Sequence, residues 1–154
     1  MNYYTAYESP VGKLRIIENG IGITHIEFPE IQKNIIAEEK ETPLLTKTIK
    51  QLAEYFAGKR KDFDIPLYLN GTVFQMKAWS ELRKIPYGET RTYQQIAEAT
   101  GNRKASRAIG LANNRNPIPF IIPCHRVIGS NGSLTGYAGG LETKKFLLDL
   151  EQIT

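Results

Sequence analysis

Strand-like apolar runs at Lys13–Glu18 and Ile21–Phe28 are joined by Asn19-Gly20. This predicts a β-hairpin whose turn residues both take positive φ. Tyr3–Tyr7 adds an earlier strand. After Thr42-Pro43 the apolar period lengthens: Leu45, Ile49, Leu52 and Phe56 recur at helical spacing. Thr caps this helix, Pro opens it and Gly58 stops it. From residue 70 the pattern is mainly helical. Thr72-x-x-Gln75 and Thr92-x-x-Gln95 are capping boxes. They open a helix through about Arg83, with Phe74, Ala78 and Leu82 on one face, and a shorter one ending near Thr100-Gly101. A further helix is expected over about Arg103–Asn113, burying Ala105, Ala108, Ile109 and Ala112. Phe120–Ile122 reads as a short strand-like segment. The five glycines between Gly129 and Gly140 read as a loop. Leu141–Glu151 reads as a closing amphipathic helix with Leu141, Lys145 and Leu148 on one stripe.

These elements predict an α+β protein. A small N-terminal α/β domain with a β-hairpin, residues 1–65, packs on a mainly helical C-terminal domain, residues 70–154. Lys59–Asp64 reads as a charged linker between them. The two short helices after Arg91, joined by a glycine-containing turn, match a helix-turn-helix, here in a winged-helix-like setting. An ordinary helical hairpin is the competing interpretation. The N-terminal domain offers no catalytic constellation and reads as a scaffold.

Charge sharpens this division. The chain carries a net charge of +4. Residues 1–70 hold 9 Lys+Arg against 10 Asp+Glu, whereas residues 83–126 hold 8 basic residues and only Glu89 and Glu98. Such asymmetry is the electrostatic footprint of nucleic-acid binding, set against a merely solvated basic face. No apolar run is long enough for a membrane helix. The first residues lack the basic and apolar regions of a signal peptide. With a single cysteine there is no intrachain disulfide, which fits a reducing cytoplasm. Cys124, His25 and His125 do not make a zinc site, so neither metal nor other cofactor is expected.

That cysteine lies in Ile122-Pro123-Cys124-His125-Arg126-Val127. A lone intracellular cysteine is usually a small buried hydrophobe. Here Pro123 fixes the backbone before the thiol, while His125 and Arg126 bring proton-accepting and positive groups that favour thiolate. Were the segment a regular strand, Cys124 and His125 would face opposite sides, and a local turn or a water would be needed to connect them.

Pro123–Val127, preceded by Asn116-Pro117-x-Pro119 and followed by Gly136-Tyr137-Ala138-Gly139-Gly140, resembles the O6-alkylguanine-DNA alkyltransferases, or methylated-DNA–protein-cysteine methyltransferases. The matching region runs from about Thr72 to Glu151. Ser9-Pro10-Val11-Gly12 before the hairpin is similar to the family's N-terminal domain.

The resemblance implies direct DNA repair. An alkyl group passes from O6 of guanine, with O4 of thymine a second candidate, to the protein's own cysteine in one irreversible turnover after nucleotide flipping. Cys124 matches the alkyl acceptor, His125 the base acting through a water, and Glu151 the carboxylate that orients it. Asn116 matches the asparagine tying the helix-turn-helix to the active-site loop. Arg107 matches the finger entering the base stack, and Tyr93 the tyrosine that promotes nucleotide rotation. Tyr137 matches the residue contacting the flipped guanine. Val127 and Lys144 match a guanine-recognising carbonyl position and a binding lysine. Ala105 and Ser106 suit close approach to a minor groove. The implied partner is duplex DNA carrying O6-alkylguanine, bound by a monomer with no obligate protein partner and no membrane, cooperative loading on DNA being open. Arg126 has no role in the resemblance. Two departures stand out: the N-terminal cysteines that bind zinc in some members are absent, and Ala138 replaces a serine found in others. A lesion-sensing binder would carry another residue at position 124. A helix-turn-helix transcription factor leaves Pro123–Val127 and Asn116 unexplained, and a cysteine hydrolase lacks an identifiable oxyanion hole.

Overall fold

A computed structural model of the chain describes residues 1–153. It divides into two compact units, Met1–Leu69 and a second from Asn70 onward. In the first unit, β1 (Tyr3–Ser9), β2 (Gly12–Glu18) and β3 (Ile23–Glu27) form an antiparallel meander. The two-residue β4 (Glu38–Glu39), which the sequence pattern did not signal, pairs parallel to β1 and completes the order β3-β2-β1-β4. Leu14, Ile16, Ile17, Ile23 and Ile26 are buried along the sheet.

The β2–β3 turn differs from the expected two-residue form. Gly20 has φ +89° but Asn19 does not enter the positive region. The Asn19 side-chain oxygen instead accepts from the N–H groups of Ile21 and Gly22, an Asx arrangement that closes a longer loop. Gly22 then passes against the backbone of Leu67, where a Cβ would meet carbonyl carbon at 2.8 Å. Only glycine lets Ile23 exchange hydrogen bonds with Pro66 and Tyr68 there.

Helix α1 (Pro43–Phe56) starts as expected: the Thr42 hydroxyl accepts from Leu45 N–H, and Gly58 at φ +75° follows its end. Leu45, Leu52, Tyr55 and Phe56 face the core. The segment anticipated as a linker is fastened to this helix. Asp64 and Gln51 exchange amide hydrogen bonds, and Arg60 pairs with Glu54.

The second unit contains α2 (Val73–Leu82), β5 (Arg91–Thr92), α3 (Tyr93–Ala99), α4 (Ser106–Asn114), β6 (Val127–Ile128) and α5 (Leu141–Ile153). Both capping boxes form, so α2 and α3 begin where their sequences specify. Helices α3 and α4 pack on each other and on α2. The indole of Trp79 in α2 donates to the Ala112 carbonyl in α4 at 2.9 Å, tying the helix pair to its support. The sequence elements therefore assemble as an α+β protein with a mainly helical second unit.

Three further expectations need correction. Helix α4 begins at Ser106 and not Arg103: Asn102 accepts from Lys104 N–H in the preceding turn, and Ala105 and Ala108 are half-buried while Ile109, Ala112 and Asn113 carry the buried face. Phe120–Ile122 is not a strand. Three prolines (117, 119 and 123) surround it, and Phe120 sits at φ +73°, so it coils as consecutive buried turns. On α5 the buried face is Lys144, Leu147 and Glu151; Leu141 and Lys145 are exposed.

Candidate active site

Cys124 opens a single turn of 3-10 helix, Cys124–Arg126, entered through Pro123 at φ −79°, ψ 65°. A strand would have set Cys124 and His125 on opposite faces; this tight turn rotates successive side chains by about 120° instead. Two asparagines hold the turn. Asn116 Nδ2 donates to the Ile122 carbonyl at 2.8 Å while its Oδ1 accepts from Ile118 N–H at 3.0 Å. Asn113 Nδ2, from the end of α4, donates to the Cys124 carbonyl at 3.1 Å.

The thiol is 4% exposed. Burial pushes its pKa up to about 11; side-chain hydrogen bonds from Asn116 and Tyr137 and the charge of Lys144 oppose that rise. The cation that favours thiolate is thus Lys144 on α5. Arg126, the neighbour that the sequence suggested, is engaged elsewhere. At neutral pH a thiol titrating near 11 is ionised only about once in ten thousand molecules, so reaction requires a proton acceptor.

His125 is fully buried, and its Nε2 lies 2.5 Å from Glu151 Oε2. Burial pulls the imidazole pKa down, Glu151 pulls it up, and Arg126 and Lys144 push it down again, leaving it below its usual value. Glu151 also accepts from Arg126 Nε at 2.8 Å, Arg126 Nη2 at 3.1 Å and Gly88 N–H at 3.2 Å. Burial alone would raise this carboxyl, but His125 and Arg126 together bring it down to about 2. A carboxylate, a neutral imidazole and a thiol therefore stand in one buried cluster, the layout of an activated nucleophile.

Residues 73–153 match the DNA-binding domain of 6-O-methylguanine DNA methyltransferase, and residues 2–69 match its ribonuclease-like domain. The chain belongs to the 6-O-methylguanine DNA methyltransferase family. A methylated-DNA–protein-cysteine methyltransferase of Methanosarcina acetivorans is 50% identical over 152 residues, covering 97% of both chains. The constitutive enzyme of Bacillus subtilis is 50% identical over 163 residues, covering all of this chain and 98% of its own. Among solved structures, Mycobacterium tuberculosis OGT in complex with DNA superposes with a TM-score of 0.93 at 43% identity, covering 98% and 93% of the two chains. This methyltransferase family's activity, repair of O6-methylguanine in DNA by transfer to a protein cysteine, is the activity of this chain, and its second unit binds DNA.

Within this methyltransferase the residues singled out from the sequence fall into two groups. Cys124, His125, Asn116, Tyr137, Val127, Lys144 and Glu151 share one cluster. Lys144 is fully buried; its Nζ donates to the Val127 carbonyl at 2.6 Å and the Thr135 carbonyl at 2.9 Å, so it fastens the glycine-rich loop to β6. Tyr93, the first residue of α3, donates its hydroxyl to that same Thr135 carbonyl at 3.1 Å. Ala105, Ser106 and Arg107 lie at the start of α4 outside this hydrogen-bonded cluster, with Arg107 exposed. Asn113 was missed by the sequence reading. Its only signal was a polar residue on the buried stripe of α4, one turn after Ile109.

Proposed function

We propose that Cys124 is the sacrificial alkyl acceptor and that His125 serves it as base through an intervening water. The carrying observation is the 2.5 Å contact between His125 and the ionised Glu151, in the same turn as a thiol too weakly acidic to ionise unaided. The Cys124 proton passes through water to His125. Sulfur then attacks the alkyl carbon, an S–C bond forms and the C–O6 bond breaks. Guanine leaves with the bonding pair and takes a proton from the Tyr137 hydroxyl, which with backbone donors stabilises the developing charge. The product is a thioether, whose S–C bond is inert to the amine, imidazole and hydroxyl groups around it, so each molecule acts once.

A stacked base cannot present O6 to a buried thiol, so the nucleotide rotates out of the duplex at a cost of a few kcal/mol. Arg107, exposed at the start of α4, fills the vacated stack. Tyr93 crowds the target phosphate. The half-buried Ala105 and Ser106 let α4 approach a minor groove, and the carbonyl of Val127 reads the guanine. The protein works as a cytoplasmic monomer on duplex DNA, with residues 1–65 as scaffold. Mass spectrometry after incubation with an O6-methylguanine duplex tests the assignment. The peptide bearing Cys124 should gain one methylene; an unmodified Cys124 beside consumed lesion overturns it.

A further inference from the structure

Arg126 is the one charged member of the Cys124–Arg126 turn without a part in the transfer just described. It is nevertheless 6% exposed, and every polar contact it makes is directed. Nε and Nη2 grip the two oxygens of Glu151 as a fork, Nη1 donates to the Ile85 carbonyl at 2.7 Å, and the guanidinium lies 5.7 Å from the centre of the Tyr87 ring. Glu151 is thereby shared between two neighbouring residues of one turn, His125 and Arg126.

We propose that Arg126 is a positioning residue for alkyl transfer, sharing Glu151 with His125 so that the imidazole stays a neutral, correctly aimed proton acceptor. This rests on the reading of His125 as the base for Cys124.

The argument is electrostatic. The charged and titratable groups acting on His125 are Glu151 and Lys144 from α5, with Arg126 from its own turn. A buried imidazole facing an unshared carboxylate would capture a proton and keep it as a closed ion pair. Such an imidazolium cannot take the proton from Cys124. With Arg126 on the same carboxylate and Lys144 nearby, two positive charges already answer one negative charge. A third would be poorly compensated, so His125 remains neutral. The fork also fixes the carboxylate plane, and with it the direction in which Oε2 meets Nε2. Arg suits this position better than Lys because its planar guanidinium can grip both oxygens while still reaching Ile85.

Full-length wild type, Arg126→Met and Arg126→Lys should be compared for transfer from free O6-benzylguanine across pH, which removes DNA binding from the readout. In wild type the rate should rise through an acid limb set by His125. In Arg126→Met that limb should move upward by about one pH unit, and the plateau rate should fall at least about tenfold. Arg126→Lys should return the limb at least half-way, because it restores the charge without the fork. A parallel titration of the imidazole resonances, in a Cys124→Ala background and with His25 as internal reference, should show the same upward shift of His125. An unmoved limb and an unmoved His125 titration in Arg126→Met would overturn the proposal. Should Arg126→Met fail to fold, Arg126→Gln, which removes the charge and keeps a polar side chain, decides: a His125 titration and limb identical to wild type, with a lowered plateau, would reduce Arg126 to packing. Failure of the underlying base assignment is separately visible, since His125→Ala would then transfer as fast as wild type while the resonance shift persisted.

Discussion

Asn113 Nδ2 donates to the carbonyl of Cys124 at 3.1 Å, so the last full turn of α4 holds the peptide of the nucleophile itself. The same helix carries Arg107 at its start. The helix that begins beside Arg107 therefore ends on a side chain that holds the Cys124 turn. Asn113 is 3% exposed, and its Oδ1 has no hydrogen-bond partner among the described residues.

Replacing Asn113 by Ala leaves a buried carbonyl without that donor. A loss of about 1–3 kcal/mol is expected, read as a lower urea midpoint at unchanged slope. Transfer from O6-benzylguanine should slow in parallel. A stable variant with wild-type rate would show that Asn116 alone suffices to hold the turn.

Lys144→Met keeps the length of the side chain and removes its charge. Lys144 acts to lower the pKa of Cys124, so the thiol of the variant should titrate above the wild-type value of about 11. Because Cys124 is the sole cysteine, the pH dependence of iodoacetamide labelling reports on it directly. Labelling at a fixed alkaline pH should be several-fold slower in the variant. A lower titration point would show that loosening the Thr135 contact, and so exposing the thiol, outweighs the lost charge.

Glu151 gives a stability prediction with a definite sign. Its carboxyl is held at about 2 in the folded protein against an ordinary 4.5. A depressed carboxyl contributes stability that is present above about pH 4.5 and is lost as pH falls towards 2. The difference in unfolding free energy between wild type and Glu151→Gln should therefore shrink across that window, by an amount on the order of 2 kcal/mol. Denaturant titrations at a series of acidic pH values measure it. A difference that stays constant would mean that Glu151 is not ionised in the folded state.

Arg107→Ala separates flipping from chemistry. On the finger role proposed for the exposed Arg107, its loss should slow repair of O6-methylguanine in a duplex by about tenfold or more. Transfer from the free base should stay within about twofold of wild type. Equal slowing on both substrates would argue against a finger role.

Much of the local structure was legible in the residues. Thr72 with Gln75 and Thr92 with Gln95 both close their capping boxes, and Thr42-Pro43 opens α1, because a cap is a contact between residues three apart. The α5 stripe was not legible. Periodicity points Leu141 and Leu148 inward on the premise that buried means apolar, yet the fully buried side chains there include Lys144, accepted because the Val127 and Thr135 carbonyls take its protons. Phe120–Ile122 failed for a related reason: a short apolar run suits strand or buried turn equally, and three flanking prolines deny it a ladder partner.

The sequence by itself determined the secondary-structure starts, the basic C-terminal half and, through the Pro123–Val127 pattern with its flanks, the family. Only the tertiary structure decided what the charges beside Cys124 do. Adjacent in sequence, Arg126 looked like the cation that lowers the thiol's pKa; folded, it turns to Glu151, and Lys144, twenty residues downstream, supplies that charge. Side-chain direction follows from the 3-10 turn and from what α5 brings to it, and neither is encoded by neighbours along the chain.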